Sequence, residues 1–280
     1  MSERAYSKLP LFIVLDVSAS MGEENRFEAA FNFIPKLLDQ LEDNTAVADK
    51  VKVSVITFGE EAQTVFPLND RDALRKWYDE DMKNNPIEPV DGATRYSSAF
   101  KELKSRIYEA VEQIRADSTP DGNNYSCFRP TVFFVTDGNP FNDSQPEIDK
   151  AFKELTDEKF FCRPLIVCIG IGDVSEETLD KYAAGRYSKE EGGAKKYIVG
   201  NKDLVLVQKD GVTPAAHLRK IIVTLIQSIV QSTTQADSDD FGLEDDDEND
   251  GFTDLEIDID LSSSTDDAGF DDELSFWEED

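Results

Sequence analysis

Residues 9–20 have the sequence LPLFIVLDVSAS, and the rest of the architecture follows from this segment. The first eight residues are almost all apolar, which is typical of a parallel β-strand that is buried on both faces. The apolar run ends at Asp16, and the loop behind it carries Ser18 and Ser20. Every second side chain of an extended segment points the same way, so these three oxygen-bearing groups can converge.

Strand and helix signals alternate along the following chain. Strands are predicted at residues 51–58, 62–68 (an edge strand), 131–136 and 165–171. Helices are predicted at residues 26–41, 70–78, 97–115, 175–184 and 213–232. Pro35 should kink or break the first helix, and Thr213 should cap the last one. This alternation predicts an α/β fold with a doubly wound, mostly parallel sheet and helices on both faces.

Charge divides the chain into two parts. The 280 residues include 29 Lys and Arg against 59 Asp and Glu, a formal net charge of −30. From residue 236 to residue 280 there are 21 Asp and Glu and no Lys or Arg. We therefore expect a globular domain over residues 1–235. Residues 236–280 should form a disordered acidic tail, because self-repulsion and sparse apolar content prevent a core.

The composition argues against several partners and environments. A strongly negative chain repels phosphates, so neither nucleic acid nor an anionic membrane is expected as a partner. No run of about 18 apolar residues occurs, and the N-terminus lacks the features of a signal peptide. Three cysteines, Cys127, Cys162 and Cys168, are too few for a disulfide framework and match no metal-binding spacing. We interpret them as buried, reduced thiols of a cytoplasmic protein.

Three loops bring hydroxyl and carboxylate groups to the edge where ligands bind in such sheets, beyond the carboxyl ends of the strands. The first loop holds Asp16, Ser18 and Ser20. Thr94 lies in a second loop just before a helix, and Asp137 follows the strand predicted at residues 131–136. Donor sets made only of oxygen suit a hard divalent cation such as Mg²⁺. The pattern therefore predicts a metal site. Taken alone, the first loop could instead cap a helix.

These loops resemble the three parts of the metal-ion-dependent adhesion site of von Willebrand factor A domains. The matching motifs are DVSAS, GAT and TDG, in that order, and the resemblance covers residues 9–232. The ligands that it implies are Ser18, Ser20 and Thr94 through hydroxyls, and Asp16 and Asp137 directly or through water. Asp91 stands where many members have a small residue and is given no ligand role. The implied cofactor is Mg²⁺, with Mn²⁺ or Ca²⁺ as alternatives.

Neutral hydroxyl ligands leave a cation poorly neutralised, so an open position favours an external carboxylate. The resemblance thus implies a protein-binding scaffold or adaptor, not an enzyme, whose protein partner supplies an Asp or Glu to the metal. The chain's own acidic tail could supply that carboxylate in cis, because tethering gives an effective concentration near the millimolar range. The segments LPLFIVLDVSASM, VSVITFG and FRPTVFFVTDGNPFND are similar to the bacterial tellurium-resistance (TerY-like) group. That similarity implies a stress-response or phage-defence setting.

Two other functions remain open: a metal-dependent phosphohydrolase and a regulatory adaptor of an AAA+ ATPase. Haloacid-dehalogenase-type phosphohydrolases also place an Asp at the end of a buried first strand. They need a second acid two residues later, where this chain has Ser18, which cannot exchange protons near neutral pH. We interpret His217, the lone histidine, as a surface or half-buried packing residue and not as a catalyst. The Gly-Ile-Gly at 170–172 is interpreted as a tight turn, since Ser175 replaces the third glycine of a dinucleotide fingerprint.

The tail contains hydrophobic groups among its acids. Its aromatic residues are Phe241, Phe252, Phe270, Phe276 and Trp277. The tail is either a solvated segment or a docking segment that uses aromatic anchors or adds residues 255–261 (LEIDIDL) to a sheet edge. Residues 245–256 partly resemble a calcium loop, but Asp250 stands where that loop needs glycine.

Overall fold

Ten strands lie in the part of the chain that the computed structural model describes, residues 8–117, 127–187, 196–209, 211–238 and 252–254. In chain order they are β1 (Leu9–Asp16), β2 (Val51–Phe58), β3 (Ala62–Asn69), β4 (Cys127–Phe128), β5 (Thr131–Thr136), β6 (Leu165–Gly170), β7 (Ala184–Tyr187), β8 (Lys196–Val199), β9 (Val205–Val207) and β10 (Phe252–Thr253). Eight form the central sheet, in the order β3-β2-β1-β5-β6-β7-β8 with β9 beside β6. Strands β4 and β10 form a separate pair.

Strand β1 lies inside the sheet because its side chains are suited to burial on both faces. All eight of its residues are buried, and it pairs in parallel with β2 on one side and β5 on the other. Strand β6 continues the parallel order beyond β5, and β9 runs parallel to β6. Strands β3, β7 and β8 are antiparallel to their neighbours. The prediction of a doubly wound, mostly parallel sheet is confirmed.

The helices cover the sheet in two groups. They are α1 (Arg26–Phe31), α2 (Phe33–Asp43), α3 (Thr45–Ala48), α4 (Arg71–Lys76), α5 (Met82–Asn84), α6 (Tyr96–Asp117), α7 (Gln145–Thr156), α8 (Glu176–Asp180) and α9 (Pro214–Ser238). Helices α1, α2 and α3 pack against α9, whereas α6 packs against α7. A π-helical turn at Trp77–Asp81 joins α4 to α5. No helix in the described ranges is both long and apolar enough to cross a membrane.

Two of the predicted helices are broken or shortened in the structure. The helix predicted at 26–41 is broken at Asn32, and Pro35 is the third residue of α2. A proline is tolerated there because N–H groups of the first turn have no partner within the helix. The helix predicted at 175–184 ends at Asp180, because the chain enters β7 four residues later.

The last helix begins as predicted and ends later. The Ala216 N–H donates to Thr213 Oγ1 at 3.3 Å, which confirms the N-cap. Helix α9 continues to Ser238, three residues beyond the predicted end of the domain. Of the tail, only residues 252–254 lie beyond α9 within the described residues, and they contact the domain through β10. The LEIDIDL segment lies outside the described residues, as does most of the calcium-like loop. The division at residue 235 stays a prediction.

The three cysteines lie where the sequence predicts them. Cys127 and Cys168 are in strands β4 and β6, and Cys162 precedes β6. All three are buried, and no disulfide links them. Burial raises the pKa of the Cys127 thiol to about 12, so the thiol stays protonated.

Candidate metal site

The site is built on Asp16, which is the last residue of β1. Its side chain is fully buried, and each carboxylate oxygen accepts a hydrogen bond. Oδ1 accepts from the Ser18 backbone N–H at 2.8 Å, and Oδ2 accepts from Thr136 Oγ1 at 2.5 Å. Thr136 ends β5, the parallel neighbour of β1. The carboxyl ends of two adjacent strands therefore fix the position of the Asp16 carboxylate.

A chain of hydrogen bonds connects the first loop to the loop after β5. Ser18 Oγ lies 3.2 Å from Ser20 Oγ, and Ser20 Oγ donates to Asp137 Oδ1 at 2.9 Å. Ser18 precedes a 3₁₀ turn at Ala19–Gly22, but its side chain makes no capping hydrogen bond to that turn. The hydroxyl contacts the second serine of the loop, so the helix-cap alternative does not explain it. The structure thus brings together Asp16, Ser18, Ser20 and Asp137.

Thr94, the fifth predicted residue, lies in a loop that is hydrogen-bonded to the segments after β1 and after β5. The Val90 N–H donates to the Val17 carbonyl at 2.7 Å. Thr94 and Phe141 exchange two backbone hydrogen bonds of 3.0 and 3.1 Å. Thr94 is buried, whereas Asp91 in the same loop is exposed. The loop therefore runs between the loop after β1 and the loop after β5.

Arg26 is a residue of the site that sequence analysis missed. It begins α1, and its side chain is only 7% exposed. Nη1 donates to Asp137 Oδ2 at 3.1 Å, and Nη2 donates to Glu24 Oε2 at 3.0 Å. No periodic pattern marks Arg26. The available signal was a single basic residue only six positions after Ser20, in a loop otherwise acidic at Glu23 and Glu24.

The turn at Gly172 provides room for Arg26. Gly172 has φ +67°, and a Cβ built there would lie 2.7 Å from Arg26 Cζ. This geometry confirms a tight turn after β6, since the left-handed region favours glycine. It also gives the glycine a second role, because any side chain would collide with the guanidinium.

The electrostatics of the cluster favour a bound cation. Burial raises the pKa of Asp16 to about 6; the negative charge of Asp137 adds to this effect, and hydrogen bonds from Thr136 and Ser18 oppose it. Arg26 compensates Asp137 but makes no described ion pair with Asp16. The described residues contain no group of three or more His, Cys, Asp or Glu suited to a metal. A metal held here would therefore need the hydroxyls, and such oxygen donors fit a hard divalent ion.

The surface around the cluster combines apolar side chains with acidic ones. Val90 is 49% exposed and Phe141 is 59% exposed, and both belong to segments that are hydrogen-bonded to the site loops. A groove of about 550 Å³ begins at Val17 and Val90. The acids that line it are Glu60, Glu61, Glu88 and Asp91.

His217 lies on α9 and contacts β9. It is buried, and Nε2 lies 3.3 Å from the Leu206 carbonyl oxygen. Burial lowers the pKa of His217. The predicted packing role agrees with this position, although the side chain is more buried than a surface residue would be.

Comparison with known proteins identifies the fold of this region. The sequence profile of the von Willebrand factor type A domain matches residues 11–199. A comparison with curated proteins gave no match.

The solved structures that are similar to the chain include the following three. A von Willebrand factor type A protein from Catenulispora acidiphila shares 18% identity at a TM-score of 0.52, with 78% of this chain and 42% of that one covered. Proximal thread matrix protein 1 from the mussel byssus shares 18% identity at a TM-score of 0.52, covering 80% and 49%. The pilus adhesin SpaC from Lactobacillus rhamnosus GG, in its open conformation, shares 13% at 0.54, covering 82% and 31%. At these identities the similarity shows the fold alone, and the chain spans less than half the length of each structure.

Proposed function

The chain belongs to the von Willebrand factor type A domain family, and on this premise we propose that it is an adaptor that binds a protein partner through a divalent cation. Domains of this family commonly bind a divalent metal at a metal-ion-dependent adhesion site, and they often mediate protein–protein interactions. The cluster at the carboxyl ends of β1 and β5 lies where such a site is expected.

In this proposal the oxygen cluster holds Mg²⁺. The metal ligands are Ser18, Ser20 and Thr94 through hydroxyls, and Asp16 and Asp137 directly or through water. When bound, the cation supplies a positive charge that an external carboxylate can approach. The protein itself orients the donors. Backbone hydrogen bonds hold the Thr94 loop in place, and Arg26 holds Asp137.

The observation that supports binding most strongly is the apolar surface beside the cluster. Val90 and Phe141 are exposed on segments bonded directly to the site loops. Exposed apolar side chains beside a polar centre are typical of protein interfaces. By contrast, Ser18 stands where a phosphohydrolase of the haloacid-dehalogenase type needs a proton donor, and its hydroxyl contacts Ser20. The arrangement therefore favours recognition over turnover.

The acids beside the cluster restrict which partner fits. Glu60, Glu61 and Glu88 line the groove that begins at Val90. A partner that presents several carboxylates would be repelled there, whereas a single Asp or Glu flanked by Lys or Arg would be attracted. We therefore assign to the partner one acidic residue for the metal and cationic neighbours for the groove. The similarity of the quoted segments to the tellurium-resistance group supports a bacterial stress-response setting for this interaction.

Affinity capture tests the proposal. The full chain, Asp16→Ala and the control Glu158→Gln, an exposed acid outside the groove, would each be used as bait in Mg²⁺ and in EDTA, and captured proteins identified by mass spectrometry. We expect the wild type and Glu158→Gln to retain the same partner only in Mg²⁺, and Asp16→Ala to retain none. Capture that is indifferent to EDTA and to Asp16 would contradict the proposal. Hydrolysis of p-nitrophenyl phosphate that Asp16→Asn abolishes would favour a phosphohydrolase instead.

A further inference from the structure

The described part of the tail lies at the opposite end of the sheet from the metal cluster. Strand β10 pairs in parallel with β4, through Phe252 with Cys127 and Thr253 with Phe128. Strand β4 is in turn fastened beside the start of β1, where the Phe128 N–H donates to the Lys8 carbonyl at 2.8 Å. Strand β1 has eight residues and is therefore about 26 Å long. The tail thus contacts the domain about one strand length from Asp16.

Phe252 is an aromatic anchor in this contact. It is only 8% exposed. Its ring stacks on Phe161, with centroids 6.4 Å apart and planes at 24°, and Arg129 Cζ lies 5.7 Å from its centroid. Arg115 lies over the Phe161 ring at 4.4 Å. The Phe252 ring therefore contacts both another ring and a guanidinium, and such contacts favour aromatic side chains.

Asp254 supplies the charge that complements this pocket. Oδ1 accepts from Arg129 Nε at 2.5 Å, and Oδ2 lies 3.3 Å from Arg186 Nε. The side chains of Asp254, Arg129 and Arg186 are 12%, 1% and 15% exposed. Because burying a guanidinium is costly unless an acid compensates it, these two arginines favour a carboxylate between them.

The pocket is built from residues of the domain. Arg129 lies between β4 and β5, Phe161 precedes β6, and Arg186 lies in β7. Arg129 is further positioned by Nη1, which donates to the Arg163 carbonyl at 3.0 Å. These residues are distant in sequence and meet only in the folded domain. A short peptide that binds here therefore contacts side chains that the fold of the domain has brought together.

We propose that Arg129, Phe161, Arg186 and the edge of β4 that pairs with β10 form a peptide-binding site for the pattern Phe-x-Asp, and that residues 252–254 of the same chain occupy it in cis. Three features of the site favour this occupant. The edge of β4 pairs with the peptide backbone, and Phe161 stacks on an aromatic side chain. Arg129 and Arg186 bind a carboxylate two residues after that side chain. The consequence is an acidic tail anchored at the end of the domain remote from the metal cluster. A partner segment with the same pattern would compete with the tail for this site.

Peptide binding to the full chain tests the specificity of the site. The receptor is the Phe252→Ala/Asp254→Asn double variant, whose own segment can no longer dock. The probe is a fluorescent peptide with the sequence of residues 248–258, and the control peptide has Phe and Asp of the pattern exchanged, so that composition and charge are unchanged. We expect the probe to bind at least about tenfold more tightly than the control, as is usual when a central anchor is lost. Adding Arg186→Ala to the receptor should remove the difference. Equal binding of both peptides would overturn the proposal.

Hydrogen exchange in the full-length wild type tests the occupant. The amides of residues 252–254 should be protected, and Asp254→Asn should make them exchange at least about tenfold faster. Asp258→Asn makes the same charge change four residues later and should leave them unaltered. Protection should also be independent of protein concentration. Protection that grows with concentration, together with a dimer in light scattering, would show docking between two copies and overturn the assignment in cis.

Discussion

The two ends of the central sheet compensate buried charge in opposite ways. At the carboxyl ends of β1 and β5, the buried acids Asp16 and Asp137 meet hydroxyls and one arginine. At the other end, the buried Arg129 and the nearby Arg186 meet a carboxylate from the chain's own tail. The second end therefore compensates its charges within one chain, whereas the first has a carboxylate, Asp16, with no described cationic partner. This incomplete end is where we place an external cation.

Arg26→Gln should have the largest effect on stability. It removes the cation next to Asp137, and breaking a buried ion pair costs about 3 kcal/mol. Chemical unfolding in EDTA would measure this loss. Because the site would then lack its one built-in positive charge, Mg²⁺ should stabilise the variant more than it stabilises the wild type.

The control for this prediction is Arg75→Gln. Arg75 also pairs with two acids, Asp39 and Glu42, but at the surface, where such pairs contribute about 0–1 kcal/mol. Equal losses for the two variants would mean that burial of the Arg26 pair does not matter. If Mg²⁺ stabilised Arg26→Gln no more than it stabilises the wild type, the charge of Arg26 would not influence metal binding at the cluster.

Asp254→Asn should weaken the opposite end by about 1–3 kcal/mol in the same unfolding measurement, because it leaves two arginines without their shared carboxylate. Mg²⁺ affinity should not change, since the two ends are separated by the length of β1. A change in Mg²⁺ affinity would show that the two ends of the sheet are not independent.

Gly172→Ala should cost about 2 kcal/mol, of which about 1 kcal/mol is backbone strain at positive φ. The rest comes from contact with Arg26, because the added Cβ would lie 2.7 Å from Arg26 Cζ. Gly211→Ala is the matched control: Gly211 has φ +78°, but no atom lies within 4 Å of an added Cβ. If the two variants lose the same free energy of unfolding, the contact between the turn and Arg26 does not contribute to stability.

His217 should produce the smallest effect, confined to acid conditions. In the folded chain, burial lowers the pKa of His217 below its ordinary value of 6.5. The unfolded chain therefore binds the proton more readily. Stability from this group is therefore complete above pH 6.5 and declines as the pH falls below it. The difference in unfolding free energy between wild type and His217→Gln, measured from pH 7.5 to 5, should shift against the wild type at the acid end. A constant difference would contradict the assignment.

The parts of the fold that could be predicted are those with strong local patterns. Strands β1, β2 and β5 have the predicted bounds because runs rich in apolar or β-branched residues end abruptly at a polar residue or a glycine. Strands β7, β8 and β9 have only three or four residues, too few to show a period. Helix α7 did carry a helical period, through Ile148, Phe152 and Leu155, and was overlooked.

The candidate site could be predicted where its residues lie next to strands or helices that the sequence reveals. The first loop, the Thr94 loop and Asp137 each follow or precede a recognisable element, so their meeting follows from the topology. The roles of Arg26 and Asp254 depend on contacts across more than a hundred residues, 26 with 137 and 129 with 254. A local pattern contains no information about such pairs. The tail was expected to be solvated, to dock through aromatic anchors such as Phe252, to dock through residues 255–261, or to supply a carboxylate to the metal. Its described contact, at residues 252–254, uses the aromatic anchor Phe252.

Calorimetric titration of the full chain with Mg²⁺ measures whether the oxygen cluster binds one divalent cation. We expect one site per chain for the wild type and for Asp91→Asn, with affinity at least about tenfold weaker for Asp16→Asn. In EDTA, Asp16→Asn should be no less stable than the wild type at pH 7, because burial makes the ionised carboxylate unfavourable there. Absence of Mg²⁺ binding by the wild type, or equal binding by Asp16→Asn, would show that this cluster is not the metal site.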